Sequence, residues 1–112
     1  MAAVLTLYPE LKGYFCTNEV MSVTALEVLA EHPDREIQLV GFDLGKTQAD
    51  AIRNGKEAGT ITQNPYGMGY ATIVAGVRAA LDMENDHFID AGYQWLDQTN
   101  IDLEDNAKYL YE

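Results

Sequence analysis

At 112 residues the chain has length for one domain with a modest core, and its hydrophobic fraction of 47% is ordinary for a globular protein. Seven Lys and Arg against eighteen Asp and Glu give a net charge of −11, which argues against DNA, RNA or an anionic membrane surface as partner. The single Cys16 rules out an internal disulfide, and no run approaches the roughly 18 apolar residues that span a bilayer.

Met1 to Tyr8 reads as the last two turns of a helix, closed by Pro9. It offers no capping residue, so the chain starts as if inside an element. It is also too short, and too poor in basic residues, for a signal peptide. The run Lys12 to Thr17 is strand-like and leads to Asn18, which is placed to cap a helix from Glu19 to about Glu31. Met21, Ala25, Val28 and Leu29 form the predicted apolar stripe of that helix, and Pro33 stops it. Cys16, inside an apolar run, is expected to be a small buried hydrophobe.

A second strand, Ile37 to Phe42, leads to Asp43 and is apolar over most of its length, the pattern of a strand covered on both faces. A short helix from about Thr47 to Asn54 follows, with Ala49 and Ile52 inward and Gly55 as its stop. The third strand, Ala58 to Thr62, ends at Gln63. Asn64 and Pro65 then open a helix to about Leu81, with Met68, Ile73, Val77 and Leu81 as inward positions. A polar turn, Asp82 to His87, leads to an extended stretch from Phe88 to Trp95. The tail after Asp97 is acidic, with Tyr109 and Tyr111 expected to pack it onto the body.

Strands separated by helices predict an α/β fold whose parallel strands finish at one edge, where open sheets of this kind bind ligands. Asn18, Asp43 and Gln63 each follow such a strand. Two amides and a carboxylate on one rim suit a small polyhydroxylated molecule, since amides donate and accept while a carboxylate accepts twice. Competing signals are weaker. Gly67, Gly69 and Gly76 lie within a helix pattern, where packing explains them better than a dinucleotide loop. Asp82, Glu84, Asp86, His87 and Asp90 match no metal loop. His32 has no nucleophilic partner pattern. A phosphate-receiver reading of Asp43 lacks the acidic pair and the Lys it needs. The sequence therefore calls for no cofactor and no catalysis.

The blocks Tyr8 to Glu19, Val40-Gly41-Phe42-Asp43 and Gly59 to Gly69, with the Phe88 to Trp95 stretch and the closing Thr99-Asn100, resemble the C-terminal part of type I periplasmic sugar-binding proteins. These are the ribose-binding group of ABC-transporter receptors. The resemblance covers essentially the whole chain and implies a Rossmann-like fold of two lobes, of which this chain holds part of one. It implies that Asn18, Asp43 and Gln63 contact a sugar. It also implies a periplasmic or cell-surface location and a membrane permease as partner for the full-length protein. Glu19 stands where an Asp is usual, and Leu44 precedes Gly45 where a Gly often comes first. The resemblance divides the chain into residues 1–63, 64–87 and 88–112: a lobe portion, a helix and turn that would pack on the other lobe, and a returning strand with the tail. A helix without that partner predicts a homo-oligomer or an exchange of elements between copies. The lactose-repressor family of transcription regulators shares this fold, so an effector-binding fragment of such a regulator is the rival reading. A folded piece without measurable binding is the third.

Overall fold

The computed structural model describes residues 1–111. The elements, in chain order, are α1 (Ala2–Leu7), β1 (Gly13–Phe15), α2 (Glu19–Ala30), β2 (Gln38–Phe42), α3 (Lys46–Arg53), β3 (Gly59–Gln63), α4 (Pro65–Ala80), β4 (Tyr93–Leu96) and a final 3₁₀ helix, Glu104–Tyr109. The strands form one sheet in the order β1-β2-β3-β4. The first three are parallel, as expected from the helical crossovers between them. β4 runs antiparallel to β3, pairing Thr60 with Leu96 and Gln63 with Tyr93. It is also shorter than the predicted stretch: Phe88, at 81% exposure, lies outside any strand. The sheet is thus mostly parallel with flanking helices.

Local chemistry explains the helix ends. Asn18 Oδ1 accepts from the Met21 N–H over 2.9 Å, and Asn64 Oδ1 from the Gly67 N–H over the same distance. Gly55 ends α3 with φ at +69°, a conformation that costs glycine nothing.

α2 and α3 cover the same face of the sheet, because successive right-handed crossovers in one direction put their helices on one side. Under them, Cys16, Ala25 and Leu39 form one cluster with Met1, Tyr14, Leu26 and Leu29 around it. Leu44, Ala49, Ile52, Leu96, Ile101 and Tyr109 form a second, so Tyr109 does close the tail onto the body. The buried stripe of α2 differs from the predicted one: Ser22 and Ala25 are buried, while Met21 is exposed. A serine tolerates that position because its hydroxyl donates to the Asn18 carbonyl and accepts from the Phe42 N–H.

The opposite sheet face is open. Register places Phe15 beside Val40, Phe42 beside Ile61, and Ile61 in turn beside Trp95. Phe15 on β1 is 52% exposed, and on β2 Val40 and Phe42 are half-buried where Leu39 and Gly41 are buried, so β2, predicted to be covered on both faces, is fully covered on only one. The inward positions predicted for α4 also face no core. Met68, Ile73, Val77 and Leu81 are all exposed, and no residue of α4 is buried. The physical reason is the same in both cases: the described residues supply nothing to pack there. The radius of gyration, 17.6 Å against about 13 Å for a compact chain of this length, records that α4 does not fold back onto the core.

Candidate functional site

Asp43 and Gln63 meet at the carboxyl edge of the sheet. Gln63 Nε2 donates to Asp43 Oδ1 over 3.1 Å. Asp43 has φ at +66°, a left-handed conformation that is rare outside glycine and gathers at functional sites. β3 over-determines it: the Asp43 N–H donates to the Ile61 carbonyl over 2.9 Å, and Thr60 Oγ1 donates to the Asp43 carbonyl over 2.7 Å. The buried Thr60 therefore fixes the rim residue from inside the sheet.

Around this pair lies a pocket of about 340 Å³, lined by Asp43, Thr62, Gln63, Pro65, Met68 and Tyr111. Asn18 does not line it. Its side-chain oxygen is occupied as the α2 cap, and its amide nitrogen has no protein partner among the described residues. The rim thus joins two of the three predicted residues directly. The third connects to them through its neighbour: Tyr111 Oη donates to Glu19 Oε2 over 2.9 Å. Glu19 Oε1 meanwhile occupies the space a side chain at Gly45 would need, so a larger residue there would push the Glu19 carboxylate aside. The phenol of Tyr111 is pushed up to about 12 by burial first, then by its bond to Glu19 and the nearby charges of Asp43 and Glu19. It stays a neutral donor throughout the physiological range.

Tyr111 and Met68 went unassigned to the site in the sequence. Tyr111 carries an aromatic signal that reads equally as tail packing, and 92 residues separate it from Glu19. A larger cavity, about 800 Å³, opens at the opposite edge between α2 and α3, with Leu26, Leu29, Ile37 and Ala51 among its walls. None of the three predicted residues lines it.

Residues 1–83 match the model of the periplasmic binding protein domain, and the chain belongs to that family. The ribose import binding proteins of Salmonella typhimurium and Escherichia coli are each 33% identical over 69 residues, 62% of this chain and 23% of theirs. An ABC transporter solute binding protein from Agrobacterium vitis with bound D-fucose superposes with a TM-score of 0.90 at 23% identity, over 97% of this chain and 38% of that one. At that identity the likeness speaks to the fold alone. A Brachyspira murdochii protein described as an ABC transporter, LacI family transcriptional regulator, is 36% identical with a TM-score of 0.78, over 89% of this chain and 35% of that one. The chain spans about a quarter of the length of its curated relatives.

Proposed function

We propose that this chain carries one side of a sugar-binding site, as the C-terminal part of an ABC-transporter solute-binding protein. The observation that carries this reading is the Gln63–Asp43 hydrogen bond at the carboxyl edge of the sheet, in a chain of the periplasmic binding protein family. Asp43 would accept hydroxyl protons, Gln63 would donate and accept beside it, and Asn18 would add its free amide nitrogen from the start of α2. Relatives that import ribose, and solved neighbours holding D-fucose, α-D-tagatopyranose and D-arabinose, support a monosaccharide or related polyol as the ligand. The work is recognition, with no bond made or broken. In the full-length protein the second lobe would close on the sugar by a hinge motion, and the closed form would engage a membrane permease from the periplasmic side.

The division into residues 1–63, 64–87 and 88–112 belongs to the same reading. α4 without a buried residue supports assigning 64–87 to contact with another lobe. In a solution of this chain alone, the open sheet face and α4 would be covered by a second copy. A monomer mass in light scattering at micromolar concentration would overturn that association.

One side of a site binds weakly. A few solvent-exposed hydrogen bonds return about 1 kcal/mol each, against several kcal/mol lost on association, so millimolar affinity is expected. The test is a ¹⁵N–¹H titration with D-ribose, D-arabinose and D-fucose at millimolar concentration. Shifts confined to amides near Asn18, Asp43 and Gln63 are expected. A well-dispersed spectrum that no sugar perturbs would reject binding by this chain. The regulator reading keeps one specific support, the description of the Brachyspira murdochii protein, and predicts the same half-site within a different parent.

A further inference from the structure

We propose that the buried Glu57–Gln48 pair positions Asp43 from beneath the sheet, so that the charge on Glu57 sets how tightly the rim holds a sugar. The inference rests on the sugar-binding reading above. Glu57 and Gln48 are 1% and 0% exposed, and their Oε1 and Nε2 atoms lie in the space that a side chain at Gly41 would take. The pair is therefore seated against the backbone of β2, close to the end that carries Asp43.

The contact with the site runs through one peptide unit. The Gln48 amide nitrogen carries two hydrogens, and it donates to Glu57 Oε1 over 3.2 Å and to the Phe42 carbonyl over 3.5 Å. That carbonyl belongs to the peptide joining Phe42 to Asp43, whose N–H donates to Ile61 on β3. Rotation of this peptide sets the left-handed φ of Asp43. An ionised carboxylate attracts a donor about twice as strongly as a neutral carboxyl does. Ionised Glu57 draws the Gln48 amide away from the Phe42 carbonyl and slackens the hold on Asp43, whereas neutral Glu57 leaves the amide to both. Burial pushes the Glu57 carboxyl up to about 7, so this exchange falls in the neutral range. Few titratable groups on the surrounding elements compete. The buried Cys16 thiol after β1 feels the Glu57 charge, and Asp43 itself ends β2. On α2, Glu19 is held by Tyr111 and Glu27 is exposed. On α3, Lys46 and Arg53 pair with Asp50, and Arg53 also with Asp102, so no cation pairs with Glu57 among the described residues.

The test begins with the chain free of sugar. In a ¹⁵N–¹H pH titration the Asp43 amide should follow the Glu57 carboxyl, itself read from its ¹³C shift, and Glu57→Gln should abolish that inflection. Gln48→Met, which keeps the volume without the amide, should leave Glu57 titrating and the Asp43 amide unmoved. D-ribose, D-arabinose and D-fucose should bind roughly threefold more weakly at pH 8 than at pH 6, the loss of part of one hydrogen bond, while Glu57→Gln keeps the pH 6 affinity at both. An Asp43 amide that ignores Glu57, an affinity equal at the two pH values, or a change that survives Glu57→Gln would overturn the inference and leave the sugar-binding reading standing. No sugar-induced shift at either pH would overturn both. Should Gln48→Met lose its dispersed spectrum, Glu57→Gln decides.

Discussion

Gln48 Nε2 donates to Glu57 Oε1 over 3.2 Å beneath β2, and both residues are almost wholly buried. Gln48 Oε1 and Glu57 Oε2 have no hydrogen-bond partner among the described residues. A proton on Glu57 would turn one of its carboxyl oxygens into a donor and remove a buried charge from beneath β2. Burial pushes the Glu57 carboxyl up to about 7, against the smaller opposing pull of the Gln48 bond.

That shift makes stability depend on pH. The folded pKa lies above the unfolded value of about 4.3, so the contribution is fully present below that value. It is lost as pH rises toward 7 and is constant above. Because many other acids titrate, the comparison is with Glu57→Gln, which preserves the amide-like pairing. The variant should gain on the order of 2 kcal/mol over the unaltered chain at pH 8, after allowance for water reaching the pair, and nothing at pH 4. Urea midpoints at the two pH values measure it; equal differences would refute a neutral Glu57.

Asp43 sets stability against binding. At φ +66° a glycine is unstrained, so Asp43→Gly should leave thermal stability unchanged or raise it by up to about 1 kcal/mol. The same change should abolish sugar-induced shifts. Asp43→Ala should lose both. A variant with glycine here that still binds would remove Asp43 from the site.

Asn18 has two roles that substitution can separate. Asn18→Ala should cost about 1 kcal/mol in urea unfolding through the lost α2 cap. Asn18→Ser keeps the cap but lacks the amide nitrogen, so it should retain stability while weakening sugar binding. If serine binds as well as asparagine, Asn18 is a cap only.

Gly59 lies under β4. A methyl group there would meet the Trp95 ring and come within 2.7 Å of the Leu96 carbonyl, which belongs to the backbone and cannot swing aside. Gly59→Ala should therefore cost roughly 1–3 kcal/mol and loosen the β3–β4 pairing, visible as faster amide exchange at Leu96.

The exposed α4 face predicts association. Ile73 and Val77 are 69% and 55% exposed in the single chain, so replacing both with Glu should leave its folding stability nearly unchanged. Sedimentation should nevertheless shift toward the monomer mass. Identical sedimentation of variant and unaltered chain above the monomer mass would place the contact elsewhere, and at the monomer mass would overturn the association.

The sequence by itself determined the four α-helices and where they start and stop, to within about a residue. Asn18, Asn64-Pro65 and Gly55 act within one helical turn, through caps and backbone conformation that depend on neighbours only a few residues away. The parallel order of the first three strands was legible too, because helical crossovers permit little else. That Asn18, Asp43 and Gln63 finish at one rim was expected; that Gln63 touches Asp43 while Asn18 stays outside their pocket was not.

What only the tertiary structure decided lies at long range. β4 turns antiparallel because its partner is chosen across the chain, and the connection through α4 leaves either direction open to a short strand. Ser22 displaces Met21 from the core because its hydroxyl finds Phe42 on a strand twenty residues away. Tyr111 joins the rim through Glu19, and the Glu57–Gln48 pair forms where β2 and α3 close over Gly41. An apolar residue in a periodic pattern announces that it will be buried if something covers it. Whether anything does is a property of the assembled fold, and for α4 and the open sheet face nothing among the described residues does.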